Sequence, residues 1–282
     1  MSNSKKRSSR SSKEIPEEWV QLFFEKVDLQ AAFDCLEGVR GFYAEGLRGH
    51  TRSLQLRFDD AWAHFRRASA LARREAKTRR DLQRRVAVAI LQVSAALSEC
   101  PLDEEEAEWI RQRADSSDGV DRWLPPEMSP TLSAHAMGRA VMNLRFETEG
   151  ALLLHANEPS KALWIFEHLR ELQEGKTNSS LVSSYVGAGA AYYNLGDREE
   201  ALRQLENAGW TLQVGEISNL SRVRGGCVLS ALYRYLELDD EAEQWERFAA
   251  NVCPNSTSLE LFRQREQMII DRCSLSGALV FL

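Results

Sequence analysis

Apolar residues recur along most of this chain at every third or fourth position, the spacing that places them on one face of an α-helix. A first run follows Pro16, which suits a first helical turn, and contains Trp19, Phe23 and Val27. No segment shows sustained alternation of apolar and polar residues, which would indicate a strand. The pattern therefore predicts an all-α protein built from paired helices.

The predicted helices are separated by short polar breaks. After a first helix at 16–30, they lie at 33–55, 59–74, 78–99, 103–114, 131–156, 159–174, 178–195, 198–213, 219–237, 239–251 and 257–272. One long irregular piece, residues 115–130, contains Pro125, Pro126 and Pro130, which forbid a continuous helix. This piece is predicted to be a hinge or a loop.

The clearest local signal is YVGAGAAYYNLGDREEALRQLENAGW at residues 185–210. Gly189 allows two helices to approach closely, Gly196 makes a tight turn, and Ala201 lets the second helix cross the first. With Tyr192 between the two glycines and Leu205 after Ala201, the segment resembles the tetratricopeptide repeat, a pair of antiparallel helices. The resemblance is clean over 182–215. It implies an α-solenoid of antiparallel helix pairs that stack in a right-handed superhelix.

Weaker copies align on the small residue of the second helix, at Ala61, Ala162 and Ala242. A fifth, degenerate unit is predicted at 78–114, around Ala107. The alanines lie farther apart than the repeat of about 34 residues that is usual in the family. The resemblance therefore extends over 31–252 as an architecture with longer helices or expanded turns. The helices at 16–30 and 257–272 are expected to cap the stack.

Composition changes abruptly at the two termini. Residues 1–14 form a basic, serine-rich tail that is predicted to be disordered, either as a solvated terminus or as an anchor or localisation signal. Residues 15–273 form the predicted repeat domain. Residues 274–282 form an apolar tail that either packs on the last repeat or is an exposed docking peptide.

The composition favours a cytoplasmic protein. Five cysteines, none in a C-x-x-C arrangement, do not form the pattern of a disulfide framework or a zinc site. No apolar run approaches the length of about 20 residues that a bilayer requires, so no membrane partner is expected.

Residues with catalytic chemistry are scarce in recognisable arrangements. The five histidines fall at no metal-ligand spacing, and the sequence contains no H-E-x-x-H, no phosphate-binding G-x-x-x-x-G-K-[ST] and no G-x-S-x-G. We therefore predict no catalytic residue, no metal and no cofactor, and expect that the protein is not an enzyme.

The strongest charge feature is a basic ridge within residues 66–85. It consists of Arg66, Arg67, Arg73, Arg74, Lys77, Arg79, Arg80, Arg84 and Arg85. The ridge is interpreted either as a contact for nucleic acid or an acidic protein, or as a solvated outer face. Nucleic acid is disfavoured by the net charge of −6.

The family resemblance also implies a partner groove, because the first helix of each tetratricopeptide pair lines the concave side of the superhelix. The groove positions fall on Tyr43, His50, Glu147, Thr148, His155, Ser183, Tyr193, Asn194, Arg224, Arg234 and Tyr235. We therefore expect a non-catalytic adaptor or scaffold that binds a peptide or a folded protein in this groove. The alternative is a regulatory subunit or sensor that binds a signalling peptide or nucleic acid through the basic ridge.

Overall fold

The computed structural model describes residues 14–99, 139–173 and 175–277, and every regular element in these ranges is a helix. The α-helices are α1 (Glu17–Val20, continued by a π-helical turn at Gln21–Glu25), α2 (Leu29–Cys35), α3 (Phe42–Leu54), α4 (Phe58–Glu75), α5 (Arg79–Glu99), α6 (Arg139–His155), α7 (Pro159–Leu172), α8 (Ser179–Asn194), α9 (Arg198–Val214), α10 (Asn219–Tyr235), α11 (Asp239–Val252) and α12 (Ser256–Gly277). None of these described helices is long and apolar enough to cross a membrane.

Most predicted helices agree with the structure to within a few residues at each end. The single helix predicted at 33–55 is wrong, because the chain breaks between α2 and α3. Gly38 and Gly41 lie there with φ of 80° and 114°, a left-handed backbone that glycine adopts without steric cost and that ends a right-handed helix.

Several predictions concern residues outside the described ranges. These are the tail at 1–13, the helix at 103–114, the hinge or loop at 115–130 and the start of the helix predicted at 131–156. The apolar tail predicted from 274 is wrong for Ser274–Gly277, which belong to α12, while residues 278–282 lie outside the description.

Four pairs of consecutive helices pack together: α3 with α4, α6 with α7, α8 with α9, and α10 with α11. Each pair is joined by a short turn with one left-handed residue. These residues are Leu56 (φ 59°), Asn157 (φ 58°), Gly196 (φ 86°) and Glu237 (φ 61°). Each precedes by five positions the alanine on which the sequence copies align, and all four alanines are buried. The four pairs therefore share one turn geometry.

The turns also share one hydrogen bond at the end of the first helix. In the pair α8 and α9, the N–H of Asp197 donates to the carbonyl of Tyr192 over 2.9 Å. In the pair α6 and α7, the N–H of Glu158 donates the equivalent bond to the carbonyl of Leu153 over 2.8 Å. It satisfies a carbonyl that the end of the helix leaves unpaired. A defined hydrogen bond therefore closes the turn in each pair.

Within a pair, the close approach of the two helices depends on a residue without a side chain. A Cβ atom at Gly150 would lie 2.4 Å from the ring of Phe166, and one at Gly189 would lie 3.0 Å from Leu205. Gly49 stands against Phe65 in the same way. The glycine of the first helix thus accommodates the bulky residue of the second.

The terminal helices lie against each other, so the expectation that they cap opposite ends of the stack is wrong. Trp19 and Phe23 of α1 and its π-helical turn share one apolar core with Leu220 of α10 and Phe262 of α12. The N–H of Leu29 donates to Ser258 Oγ over 3.4 Å. Burial of these aromatic residues draws the beginning of the described chain onto its last helices.

Helix α12 lies along the first helices of the pairs. It contacts α3, α6, α8 and α10, and it also contacts α5. Together, the sides of these five helices that contact α12 form a surface that we call the inner face. The inner face is therefore largely covered by the chain's own last helix.

Candidate functional site

Four of the predicted groove residues are buried on the inner face. Glu147 is 5% exposed, Thr148 6%, Ser183 7% and Arg224 5%. The expectation that they line an open groove is therefore wrong, because α12 packs against the helices that carry them. These four residues are part of the interior and are closed to a large partner.

Charged side chains meet where α6, α10 and α12 come together. Burial raises the pKa of Glu147 to about 7, against the opposing effects of the Ser180 and Ser183 hydroxyls and of Arg224. Burial lowers the pKa of Arg224 to about 9, with a contribution from the like charge of Arg265. The guanidinium of Arg265 in turn donates a hydrogen bond to Glu266. Opposite charges thus accompany each other inside the protein, as buried ions require.

The two predicted groove histidines are half-buried, and their rings are neutral. Burial and the nearby charges of Arg224 and Arg265 lower the pKa of His50 to about 3. Burial alone lowers the pKa of His155 to about 4. Within the described chain, His50 Nδ1 and His155 Nε2 have no hydrogen-bond partner. Both rings are therefore uncharged at neutral pH.

A cavity of about 740 Å³ lies between α1, α3, α5 and α10. Its apolar wall comes from side chains of all four helices and includes Trp19, Phe23, Phe24, Leu47, Leu91 and Leu220. Its polar wall contains Glu14, Tyr43, His50, Arg80, Arg84 and Arg224. The cavity therefore unites three predicted groove residues with two members of the basic ridge. We call it the α1/α5 cavity.

The basic ridge is divided between α4 and α5, and the members on the two helices have different surroundings. Arg66, Arg67, Arg73 and Arg74 are exposed on α4, and Lys77 is exposed in the following turn. On α5, Arg80 and Arg84 line the α1/α5 cavity, and Arg85 is half-buried. The side chain of Arg79 lies outside the description. None of the α4 arginines lines this cavity, so ridge residues that are close in sequence have different surroundings.

Two ridge arginines have defined partners. The Arg67 side chain makes an ion pair with Glu45, with 3.1 Å between Nε and Oε2. Burial opposes ionisation of Glu45, but hydrogen bonds from His64 and Arg67 and the charge of Arg48 lower its pKa to about 2. The guanidinium carbon of Arg84 lies 4.9 Å above the ring centre of Tyr43, a cation–π contact.

The remaining predicted groove residues lie at the carboxyl-terminal ends of α8 and α10. The rings of Tyr193 and Tyr235 meet edge to face, with 6.0 Å between centroids. Arg234 Nη2 lies 3.0 Å from Glu246 Oε2. Tyr235 is 38% exposed, Arg234 is also exposed, and Tyr193 and Asn194 are half-buried. These four residues form what we call the open rim, the accessible part of the predicted groove.

Sequence reasoning missed the contribution of α1 and α12 to the site. Trp19, Phe23 and Phe24 form a wall of the α1/α5 cavity, although their helical spacing indicated only a cap. The aromatic cluster itself was a usable signal for a cavity wall. Arg265 and Glu266 gave no such signal, because adjacent opposite charges are common on exposed helices.

Metal chemistry finds no support in the described ranges, where no group of three or more histidine, cysteine or carboxylate residues could hold a metal ion. The thiols of Cys35, Cys227 and Cys253 are free. Burial raises the pKa of the Cys227 thiol, with a further contribution from Glu266, which disfavours the nucleophilic thiolate.

Comparisons with known protein families, with curated proteins and with solved structures find no match to this chain. Its function is therefore inferred from the arrangement of its own residues.

Proposed function

We propose that this protein is a non-catalytic adaptor of tetratricopeptide-like architecture, a right-handed superhelix that binds a protein or peptide partner. The observation that supports the architecture is the turn shared by four helix pairs, with its left-handed residue five positions before a buried alanine. Stacked helix pairs offer a rigid surface, which lowers the ordering cost of binding.

The partner binds at the open rim in this proposal. Tyrosine and arginine are the residues that most often dominate the energy of protein interfaces, and the rim offers Tyr193, Tyr235 and Arg234 together. Contact between the two tyrosine rings limits their motion before binding. The buried groove residues contribute by holding α8 and α10 in place.

A capture experiment with the intact chain tests this proposal. Tyr193→Ala with Arg234→Ala is expected to abolish recovery of a protein partner from a lysate, with the partner identified by mass spectrometry. The matched control is Trp210→Ala with Arg247→Ala, an exposed aromatic and an exposed arginine on the outer helices α9 and α11. Circular dichroism melting establishes that both variants remain folded.

The opposite result would contradict the proposal that the partner binds at the open rim. If the control pair loses the partner while the rim pair keeps it, recognition lies on the outer helices.

A second candidate function is nucleic-acid binding by the exposed part of the basic ridge on α4, where Arg66, Arg73 and Arg74 lie together on one helix. Each phosphate contact adds about 0.9 to the slope of log affinity against log salt for duplex DNA. We expect only weak binding that vanishes near physiological ionic strength, where the screening length is about 8 Å. Tight binding with a steep slope that Arg73→Gln with Arg74→Gln flattens would favour this second function.

A further inference from the structure

The α1/α5 cavity has the dimensions of a small-molecule site. Its volume of about 740 Å³ lies within the range of about 300–1,000 Å³ that is typical of ligand pockets. The wall is mostly apolar, and its aromatic part is ordered by internal contacts. The rings of Trp19 and Phe23 stack at 4.7 Å, and Phe24 meets Phe23 edge to face at 5.1 Å. A preformed apolar pocket of this size favours a ligand with an apolar body.

The charges around the cavity are unbalanced. Arg80 and Arg84 contribute two positive charges and Glu14 contributes one negative charge, while the charge of Arg224 is accompanied by the carboxyls of Glu266 and Glu147. His50 adds no charge at neutral pH because its pKa is lowered to about 3. A guanidinium group binds a carboxylate with paired, charge-assisted hydrogen bonds. The charge pattern therefore complements an anionic group on the ligand.

The wall also contains buried polar atoms that lack partners in the described chain. Trp19 is 5% exposed, and its Nε1–H donor has no hydrogen-bond acceptor. His50 Nδ1 likewise has no partner. Both atoms are enclosed by the surrounding protein, so recognition of a ligand rests on the arginines and the apolar wall.

We propose that the α1/α5 cavity binds a small amphipathic anion, a molecule with one carboxylate and an apolar body. The arginines Arg80 and Arg84 hold the carboxylate, and the wall of Trp19, Phe23 and Phe24 covers the apolar body. This site is distinct from the open rim and does not depend on the adaptor function.

Two kinds of molecule combine a carboxylate with an apolar body: a free aliphatic carboxylate and a short apolar peptide with a terminal carboxylate. Dodecanoate represents the first, with dodecanol as its uncharged match. A short acetylated peptide that ends in two leucines represents the second, with the same peptide amide as its match. Binding of either carboxylate above its uncharged match supports the site, and the tighter one identifies the source.

Titration of the intact chain, followed by tryptophan fluorescence and by calorimetry, tests the proposal. The carboxylate is expected to give saturable binding and to change the emission of Trp19. Trp19→Phe should remove most of the fluorescence change, while calorimetry still detects the ligand. Trp210→Phe is the matched control, since Trp210 is exposed and does not line the cavity, and it should keep the change.

Charge variants test the role of the arginines. Arg80→Gln with Arg84→Gln should weaken carboxylate binding about tenfold or more, because an ionic hydrogen bond contributes about 1.5–3 kcal/mol and about 1.4 kcal/mol corresponds to a factor of ten. Arg80→Gln alone, at an exposed side chain, provides a variant that retains the fold. Arg73→Gln with Arg74→Gln removes the same charge from α4 and should leave the affinity unchanged.

Three outcomes overturn the proposal. These are the absence of saturable binding by either carboxylate, equal binding of the uncharged matches, and equal weakening by the α4 control pair. The adaptor proposal is tested separately, because Tyr193 and Arg234 do not line this cavity.

Discussion

Helices α10 and α11 form one pair but have very different surroundings. Helix α10 is buried on all sides from Val223 to Tyr233, and its buried residues include Arg224 and Ser230 as well as its apolar side chains. Helix α11 buries Ala242, Trp245 and Ala249 on a single stripe. The difference arises because α10 is covered by α11, α12 and the π-helical turn after α1, whereas the other side of α11 faces solvent. A polar residue in the sequence therefore indicates an exposed position on an outer helix. On an inner helix it does not.

The largest expected effect compares two aromatic residues on the same helix, α7. Phe166 is 2% exposed and fills the space left by Gly150 and Gly187, whereas Trp164 is 63% exposed. Phe166→Ala should lower the free energy of unfolding by about 3–5 kcal/mol. Trp164→Ala should change it by less than about 0.5 kcal/mol. Urea unfolding measures both, and equal losses would contradict the assignment of the two faces.

The next effect tests the burial of Glu147 by its dependence on pH. Its pKa is raised to about 7 in the folded protein, from the usual 4.5 of a glutamate, so the folded state binds the proton more tightly than the unfolded state. The stabilisation from this group is fully present below about pH 4.5 and is lost as pH rises through about 7. The difference corresponds to about 3 kcal/mol, because each pKa unit is worth about 1.4 kcal/mol.

Glu147→Gln removes this titration and supplies the reference. Between pH 4.5 and pH 7.5 the unfolding free energy of the parent should fall by about 3 kcal/mol relative to that of the variant. Parallel pH profiles of the two proteins would show that Glu147 is solvated, as an open groove would require.

A smaller loss is expected where the helices of one pair cross. Ala201 is 1% exposed, and its carbonyl lies 3.2 Å from the position of a Cβ atom at Gly189. Ala201→Trp should cost about 1–3 kcal/mol by overpacking. Glu206→Trp, at an exposed position of α9, is the control and should be nearly neutral. Unchanged thermal stability of Ala201→Trp would place the helix contact elsewhere.

The smallest effect compares equivalent turns in two pairs. Gly196 and Glu237 have φ of 86° and 61°, and a left-handed backbone costs a residue with a Cβ atom about 1–2 kcal/mol. Gly196→Ala should therefore lower stability by about 1 kcal/mol. Glu237→Gly should raise it by about 0.5–1 kcal/mol, since the greater freedom of glycine in the unfolded chain offsets part of the gain. Changes of the same sign would show that the turns are not equivalent.

The sequence predicted local features well where one residue type determines the backbone or the packing. Gly196 indicated the turn between α8 and α9, and the apolar stripe around Ala201 and Leu205 indicated the helix that follows. At Gly38 and Gly41 the same signal was present, but the apolar spacing across 33–55 concealed the break. All-helical structure follows from such local patterns, because the period of 3.6 residues is visible in the chain itself.

The inner face could not be predicted in this way. Nothing in the sequence of α12 shows that it packs along α6, α8 and α10, because that contact depends on the relative placement of distant helices. For the same reason Arg80 and Arg84 were grouped with Arg73 and Arg74, although only Arg80 and Arg84 line the α1/α5 cavity. Positions that share a charge in sequence need not share a surface.

The account depends most on the position of α12, and hydrogen exchange of the intact chain, followed by mass spectrometry, tests it most directly. Residues 258–269 contain the buried Leu259, Phe262, Arg265 and Ile269. If α12 covers the inner face, its amides should exchange as slowly as those of α10, because both helices open only with the core. Rapid exchange of 258–269 with slow exchange of α10 would show that α12 opens independently and that the groove is free.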